Sequence, residues 1–223
     1  MFCIFRRISM LLITLFLILC TVSCGQNGYI KEPEGDSTEN PQSVPTEAPA
    51  QQQELISDYL PLKVGNLWLY EGEGNEYASF SQEIVYEQDG RYQMMTESGG
   101  TVMANVIEVR NDSLVNTYRE GEVYDNKNIL NKPSNLNIII MKLPVEGGNS
   151  WESEENRYEI LRTDAVVDVP AGKFDNCVEV GITFKDGSKG VAFYKKGVGL
   201  IQSDFIISET EIISSKLKSF SLK

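Results

Sequence analysis

From Tyr59 to its C-terminus the chain is built of short apolar or alternating runs separated by Gly, Asn and Asp, and no window carries helical periodicity of domain length. Period two puts alternate side chains on one face of a strand, so this pattern dictates half-buried β-strands rather than helices. Phe80, Ile84 and Tyr86 share one parity, as do Val102, Ala104 and Val106, and as do Val178, Val180, Ile182 and Phe184. Asp89-Gly90 and Asp186-Gly187 each separate two such runs, where a positive φ is cheap and hairpins turn. Pro170-Ala171-Gly172 parts Ala165–Val169 from Phe174–Phe184, the proline presetting φ and the glycine closing the turn. Leu55 to Leu60 reads as one short helical turn and Lys127 to Leu136 as an irregular connection. Ile138, Ile139, Ile140 and Met141 form the strongest apolar run of this region and read as a central strand buried on both faces. The expectation is an all-β domain over 55–223, an antiparallel meander sheet or curved half-barrel of about nine to eleven strands.

Within that domain Leu60-Pro61-Leu62-Lys63-Val64-Gly65-Asn66-Leu67-Trp68 and Leu143-Pro144-Val145-Glu146-Gly147-Gly148-Asn149-Ser150-Trp151 share a Leu-Pro start and a Gly-Asn-x-Trp ending at the same spacing. Both tryptophans of the protein lie in these copies. Tyr118-Arg119-Glu120-Gly121 and Tyr194-Lys195-Lys196-Gly197 form a second apparent pair. The reading is two similar halves, 60–142 and 143–223, each opening with a turn that delivers a tryptophan to the core. Chance recurrence of Pro-x-x-Gly-Asn turns is the simpler alternative.

The N-terminal part is different. Arg6 and Arg7 precede an uncharged apolar run from Met10 to Val22 that ends at Ser23 and Cys24. A positive start, a short apolar stretch and a small residue before the cut make a secretory signal, and the run is short for a permanent membrane span. With Thr21, Val22, Ser23 and Cys24 it resembles the bacterial lipoprotein signal, which implies cleavage after residue 23 and acylation of Cys24. Thr21 and Cys20 depart from the usual pattern. From 24 to 54 the chain is rich in Pro, Glu, Gln, Ser and Thr and holds Pro33, Pro41, Pro45 and Pro49, half of its 8 prolines. Such a segment buries too little to offset its ordering entropy and reads as a disordered tether.

Removal of residues 1–23 leaves 18 basic against 32 acidic residues, a net charge of −14. That surplus repels nucleic acid and gains nothing from anionic lipid, so membrane attachment is assigned to the acyl chains on Cys24. Cys177 would be the one cysteine left beyond Cys24, so the fold needs a core and not a disulfide framework. The chain has no histidine. Histidine-based hydrolases, histidine-rich zinc sites and imidazole proton shuttles are thereby excluded.

Val167-Asp168-Val169-Pro170-Ala171-Gly172-Lys173-Phe174, Asn176-Cys177-Val178 and Tyr194-Lys195-Lys196-Gly197-Val198-Gly199-Leu200-Ile201, with Tyr59-Leu60-Pro61-Leu62 and Gly65-Asn66-Leu67-Trp68, resemble a set of uncharacterised bacterial cell-envelope lipoproteins. The resemblance implies a β-rich, membrane-tethered domain and no particular activity. By architecture alone the domain is similar to the half-barrels of lipoprotein carriers such as LolA.

Candidate chemistry is sparse. Met94, Met103, Ile138, Ile140, Phe193 and Phe205 are the residues expected to line a hydrophobic ligand pocket if the sheet encloses one, although ordinary core packing explains them more simply. Lys195, Lys196, Gly197 and Gly199 offer a weak anion nest, more simply a hairpin. Asn111, Asp112, Asp125, Asn126 and Asn128 offer oxygen ligands without the spacing of a calcium loop. Glu152, Glu154 and Glu155, near Arg157, read as a solvated run, and Cys177 as a small packed residue rather than a reactive thiol. No catalytic residue, metal ligand or cofactor is assigned. The readings carried forward are a non-enzymatic extracytoplasmic lipoprotein that binds an envelope protein, cell-wall component or hydrophobic ligand, a LolA-like carrier of an apolar molecule, and a carboxylate-dependent hydrolase. The host decides whether its membrane is the cytoplasmic one or, in a diderm, the outer one.

Overall fold

The computed structural model describes residues 54–125 and 127–223. The signal segment, Cys24 and nearly all of the expected tether lie outside them. The described part is a meander of twelve strands: β1 (Leu67–Glu73), β2 (Phe80–Gln88), β3 (Arg91–Ser98), β4 (Thr101–Val109), β5 (Ser113–Gly121), β6 (Ile138–Lys142), β7 (Ser150–Ser153), β8 (Asn156–Val169), β9 (Gly172–Thr183), β10 (Lys189–Lys195), β11 (Gly199–Ser208) and β12 (Glu211–Ser221). Successive strands pair antiparallel except β6 and β7, and β1 also pairs with β12, giving one sheet in the order β6-β5-β4-β3-β2-β1-β12-β11-β10-β9-β8-β7. The expected all-β meander is therefore present, with one strand more than expected and curled further than a half-barrel into a nearly closed ring.

The ring's two terminal strands, β6 and β7, are neighbours in sequence and in space, yet no backbone ladder joins them among the described residues. Side chains from the β7 hairpin replace it. Ser153 Oγ accepts from the Ile139 amide and donates to the Asn137 carbonyl, both at 2.8 Å. Trp151 Nε1 donates to the Ile139 carbonyl at 3.1 Å, and Glu154 Oε1 accepts from the Asn137 amide at 2.8 Å. The backbone groups that β6 turns toward the gap are thus satisfied without pairing, which removes the exposed edge that an open sheet presents. Ile138 to Met141 do not form a central strand, as the apolar run suggested; β6 ends the hydrogen-bonded order and is covered because the ring closes on it.

One end of the ring is plugged. A short 3-10 helix, Ile56–Tyr59, touches β5, β6 and β11, strands on opposite walls, and buries Ile56, Tyr59 and Leu60. It is tied down where Gly197, in the β10–β11 turn, donates to the Asp58 carbonyl at 2.7 Å and Lys196 pairs with Asp58 at 3.1 Å. The helical turn expected at 55–60 is this plug.

The same turn is built twice beneath the two tryptophans. Asn66 Nδ2 donates to the Pro61 carbonyl at 2.7 Å, and Asn149 Nδ2 to the Pro144 carbonyl at 2.7 Å. Gly65 and Gly148, at φ 85° and 90°, send their amides to Ile84 and Ile160, whose own amides return to Asn66 and Asn149. Each turn needs glycine at the left-handed position and an asparagine whose side chain spans it. The second apparent pair fails. Tyr118 to Gly121 finish β5 at the end away from the plug, whereas Tyr194 and Lys195 finish β10 beside the plug, so these segments are not equivalent.

Both sheet faces are buried along β3 to β5. The inner face packs Trp68, Tyr70, Ile84, Ile107, Leu114, Met141, Trp151, Ile160 and Leu217 into one cluster. The connection between β5 and β6 runs outside the wall and lays Val123, Ile129 and Leu130 against Met95, Ala104 and Val106. Gln93, fully buried, fixes that connection by donating to the Lys127 carbonyl and accepting from the Ile129 amide, both at 2.9 Å. Val102, Ala104 and Val106 therefore face this connection, and the interior is left to Met103, Asn105 and Ile107.

If side chains close the ring, Ser153→Ala, which leaves the Ile139 amide and Asn137 carbonyl unpaired, should cost about 1–3 kcal/mol in urea unfolding, and Trp151→Phe about 1 kcal/mol. Unchanged stability in both variants would show that the ring is not closed at β6–β7 in solution.

Candidate functional site

Inside the ring lies a cavity of about 360 Å³ lined by Leu60, Leu200, Tyr194 and Ile107 toward the plug and by Gln82, Thr96, Met103 and Arg119 toward the far end. The cross-strand register stacks its main wall in three rungs. Tyr92, Ile107, Asn116 and Ile138 face one another nearest the plug, Ile84, Met94, Asn105 and Arg119 form the middle, and Gln82, Thr96, Met103 and Gly121 the last. Arg119 and Gly121 are exposed, so the cavity opens to solvent at this end. It resembles a ligand pocket in kind, concave and largely apolar with a few convergent polar groups, and in size it is near the low end of the usual range of roughly 300–1,000 Å³.

Asn116 and Arg119 are three apart and would point to opposite faces of a regular strand. The register of β5 against β4 shifts between Val106 and Ile107, and Thr117 takes up the extra residue. This bulge brings both side chains inward. Thr117 itself is held by Glu108 at 3.1 Å, and Asn135 grips the Arg119 backbone twice, accepting from its amide at 2.9 Å and donating to its carbonyl at 2.8 Å. The outer connection thereby positions an inner residue.

The polar groups form a chain with one loose end. Asn105 Oδ1 accepts from Arg119 Nε at 3.0 Å and from Asn116 Nδ2 at 2.9 Å. Because a guanidinium only donates, Asn105 must present its oxygen, and Asn116 must then present its nitrogen to it. Asn116 Oδ1 is left buried with no hydrogen-bond partner among the described residues, in a residue 5% exposed. Such a group costs about 1–3 kcal/mol unless something donates to it. Arg119 makes no ion pair within 4 Å among the described residues. Among the described residues no carboxylate lines the cavity, in a chain that carries 32 acidic residues. Burial raises the Tyr194 phenol far above its ordinary range, with Tyr158 adding to the shift, so the cavity's phenol is a neutral donor.

Of the six residues expected to line a pocket, Met94, Met103, Ile138 and Ile140 do line this one. Phe193 pairs opposite Glu179 and Gln202, on the face of β10 away from buried Ala192, and is half-buried outside the cavity. Phe205 packs on Phe184 with ring centres 5.4 Å apart and is 38% exposed, also outside it. Gln82, Thr96, Asn105, Asn116 and Arg119 were not foreseen. Asparagines in mid-strand, where they are disfavoured, were the available signal.

The other candidates are absorbed by the fold. Lys195 and Lys196 pair with Asp175 and Asp58, both at 3.1 Å, and the Gly197 amide is taken by the Asp58 carbonyl, so no anion nest is free. Asn128 caps the Leu130 amide and Asp112 accepts from Ser113, on separate connections, while Asn126 lies outside the described residues. Glu155 pairs with Lys185 at the surface. Asn176, at φ 46°, shifts the alternation of β9 so that Cys177 is fully buried opposite Ala165. Desolvation raises its thiol above the ordinary value, with Asp175 adding and Lys195 opposing.

No protein-family profile and no curated protein matches the chain. Among solved structures it is similar to a protein from Bacteroides fragilis classed as exported, with a YmcC-like fold, at 13% identity and a TM-score of 0.43, covering 74% of this chain and 99% of the other. It is also similar to a protein from Parabacteroides distasonis classed as a lipoprotein, at 12% identity and a TM-score of 0.42, covering 76% of this chain and 100% of the other. Similarity at that level assigns no activity.

An unpaired oxygen in an otherwise packed wall makes a stability prediction. Asn116→Leu, which keeps the γ-branched shape and can extend into the cavity, should leave the empty protein unchanged or raise its stability by about 1–2 kcal/mol in urea unfolding. A loss of more than about 1 kcal/mol would show that Asn116 Oδ1 has a partner in solution.

Proposed function

We propose that this chain is an extracytoplasmic binding protein, anchored to a bacterial membrane through acylated Cys24, whose barrel holds one small hydrophobic molecule. The observation that carries the reading is the cavity, closed below by Leu60 and Leu200, walled by Met94, Met103, Ile107, Ile138 and Ile140, and open beside Arg119. Flexible methionines suit an apolar guest of variable shape. A site already concave needs little reorganisation to accept one. The N-terminal sequence supports the location, because Arg6, Arg7, the apolar run and Cys24 read as export and lipid attachment.

Binding is favoured over hydrolysis because no carboxylate of the described residues lines the cavity, where a pair working on a substrate would have to reach it. A cavity of about 360 Å³ holds one single-chain or drug-sized molecule and not a multi-chain lipid, which separates this barrel from a carrier of whole lipoproteins.

The test is mass spectrometry of an organic extract from residues 25–223, purified without detergent. A small apolar or amphiphilic molecule at about one per protein, displaced in the variant Met94→Trp, is the expected result. An empty barrel under conditions that retain lipid in a known carrier, together with no thermal stabilisation by added single-chain amphiphiles, would overturn the reading.

A further inference from the structure

We infer that the cavity selects an amphiphile with an anionic head, seated with its chain toward Leu60 and Leu200 and its head against Arg119. The inference rests on the cavity-binding reading and adds the chemical class of the guest.

Three observations point the same way. The lining places Leu60, Leu200 and Ile107, with Asn116 and Tyr194, toward the plug and Arg119 with Gln82, Thr96 and Met103 toward the mouth, so the one charge offered to a guest lies at the open end and an amphiphile with an anionic head has a favoured orientation. Arg119 spends only Nε on Asn105, leaving both terminal nitrogens of a fork suited to two oxygens of one acid group. The surrounding chain carries a net charge of −12, or −14 without residues 1–23, and yet among the described residues the cavity is lined by one cation and no acid. The general field of the protein therefore favours cations, and the cavity alone favours an anion.

The fold supports this assignment independently of the pocket's shape. Placing Asn116 and Arg119 on one face requires the Thr117 bulge, and holding Arg119 in place takes two hydrogen bonds from Asn135 in a connection that packs outside the barrel. A wall needed only for packing would be served by an unbroken alternation with apolar residues at both positions.

The experiment compares three probes of equal chain length, dodecanoate, 1-dodecanol and dodecylammonium, by isothermal titration calorimetry on residues 25–223 at mildly alkaline pH, where the fatty acid is ionised and the amine charged. Dodecanoate should bind about tenfold or more tightly than dodecanol, as a charge-assisted pair contributes about 1.5–3 kcal/mol, and dodecylammonium most weakly despite the protein's negative charge. Arg119→Gln should remove the preference for dodecanoate over dodecanol, and Arg119→Lys should retain part of it. Arg119 is exposed, so these variants should fold as the parent does. Equal binding of dodecanoate and dodecanol, a preference for the ammonium, or a dodecanoate affinity indifferent to Arg119→Gln would overturn the inference while leaving the cavity-binding reading intact. Binding of none of the three would overturn both.

Discussion

The arrangement depends on how a twelve-stranded meander disposes of its last two strands. An open sheet would leave β6 and β7 as edges, with β6 offering unpaired amides and carbonyls beside one of the most apolar runs in the domain. Here Ser153, Trp151 and Glu154 satisfy those groups one by one. The closure makes an inside, so that Ile138 and Ile140 line a cavity and not an exposed edge. The tryptophan of the second Gly-Asn-x-Trp turn thus serves the closure, while its counterpart Trp68 reaches the Val198 carbonyl at 2.7 Å and secures the turn next to the plug. Two turns with the same internal hydrogen bonds perform different structural tasks because different strands lie above them.

A second consequence follows from burying the wall on both sides. The inner face of β4 and β5 is released from core duty where the outer connection supplies an alternative apolar cover for Ala104 and Val106. Polar side chains can then sit inside at Asn105, Asn116 and Arg119 without leaving the wall unpacked. The stability cost of the unpaired Asn116 oxygen is borne by a domain with extensive packing elsewhere, and such local conflicts between packing and polarity are characteristic of sites that meet a ligand.

Much of the architecture was legible in the chain. Alternation gave the strands, Asp89-Gly90, Asp186-Gly187 and Pro170-Ala171-Gly172 gave hairpins where they occur, and Leu55–Leu60 gave the one helical turn of the plug. Faces were harder. Parity counted from sequence runs unbroken along a strand, whereas register shifts at Ile84/Tyr86, Val106/Ile107 and Phe193/Tyr194 reset it. Tyr86 consequently packs outside while Ile84 packs inside. Phe193 was expected inside and is not. Val102, Ala104 and Val106 are apolar because a loop covers them, and no local pattern distinguishes a loop from a facing sheet. Four of the six proposed lining residues reached the cavity because Met and Ile runs on β3, β4 and β6 happened to keep their phase. The polar half of the site stayed hidden, since its members are distant in sequence and meet only through register.

Closure at β6–β7 is the claim on which the cavity depends, and hydrogen exchange at two amides measures it directly. In residues 25–223 the amides of Ile139 and Asn137 should exchange as slowly as ladder amides of neighbouring β5, and Ser153→Ala should accelerate Ile139 alone. Exchange of both at the rate of free, solvent-exposed amides in the parent protein would mean that the ring is open and the cavity has no fourth wall.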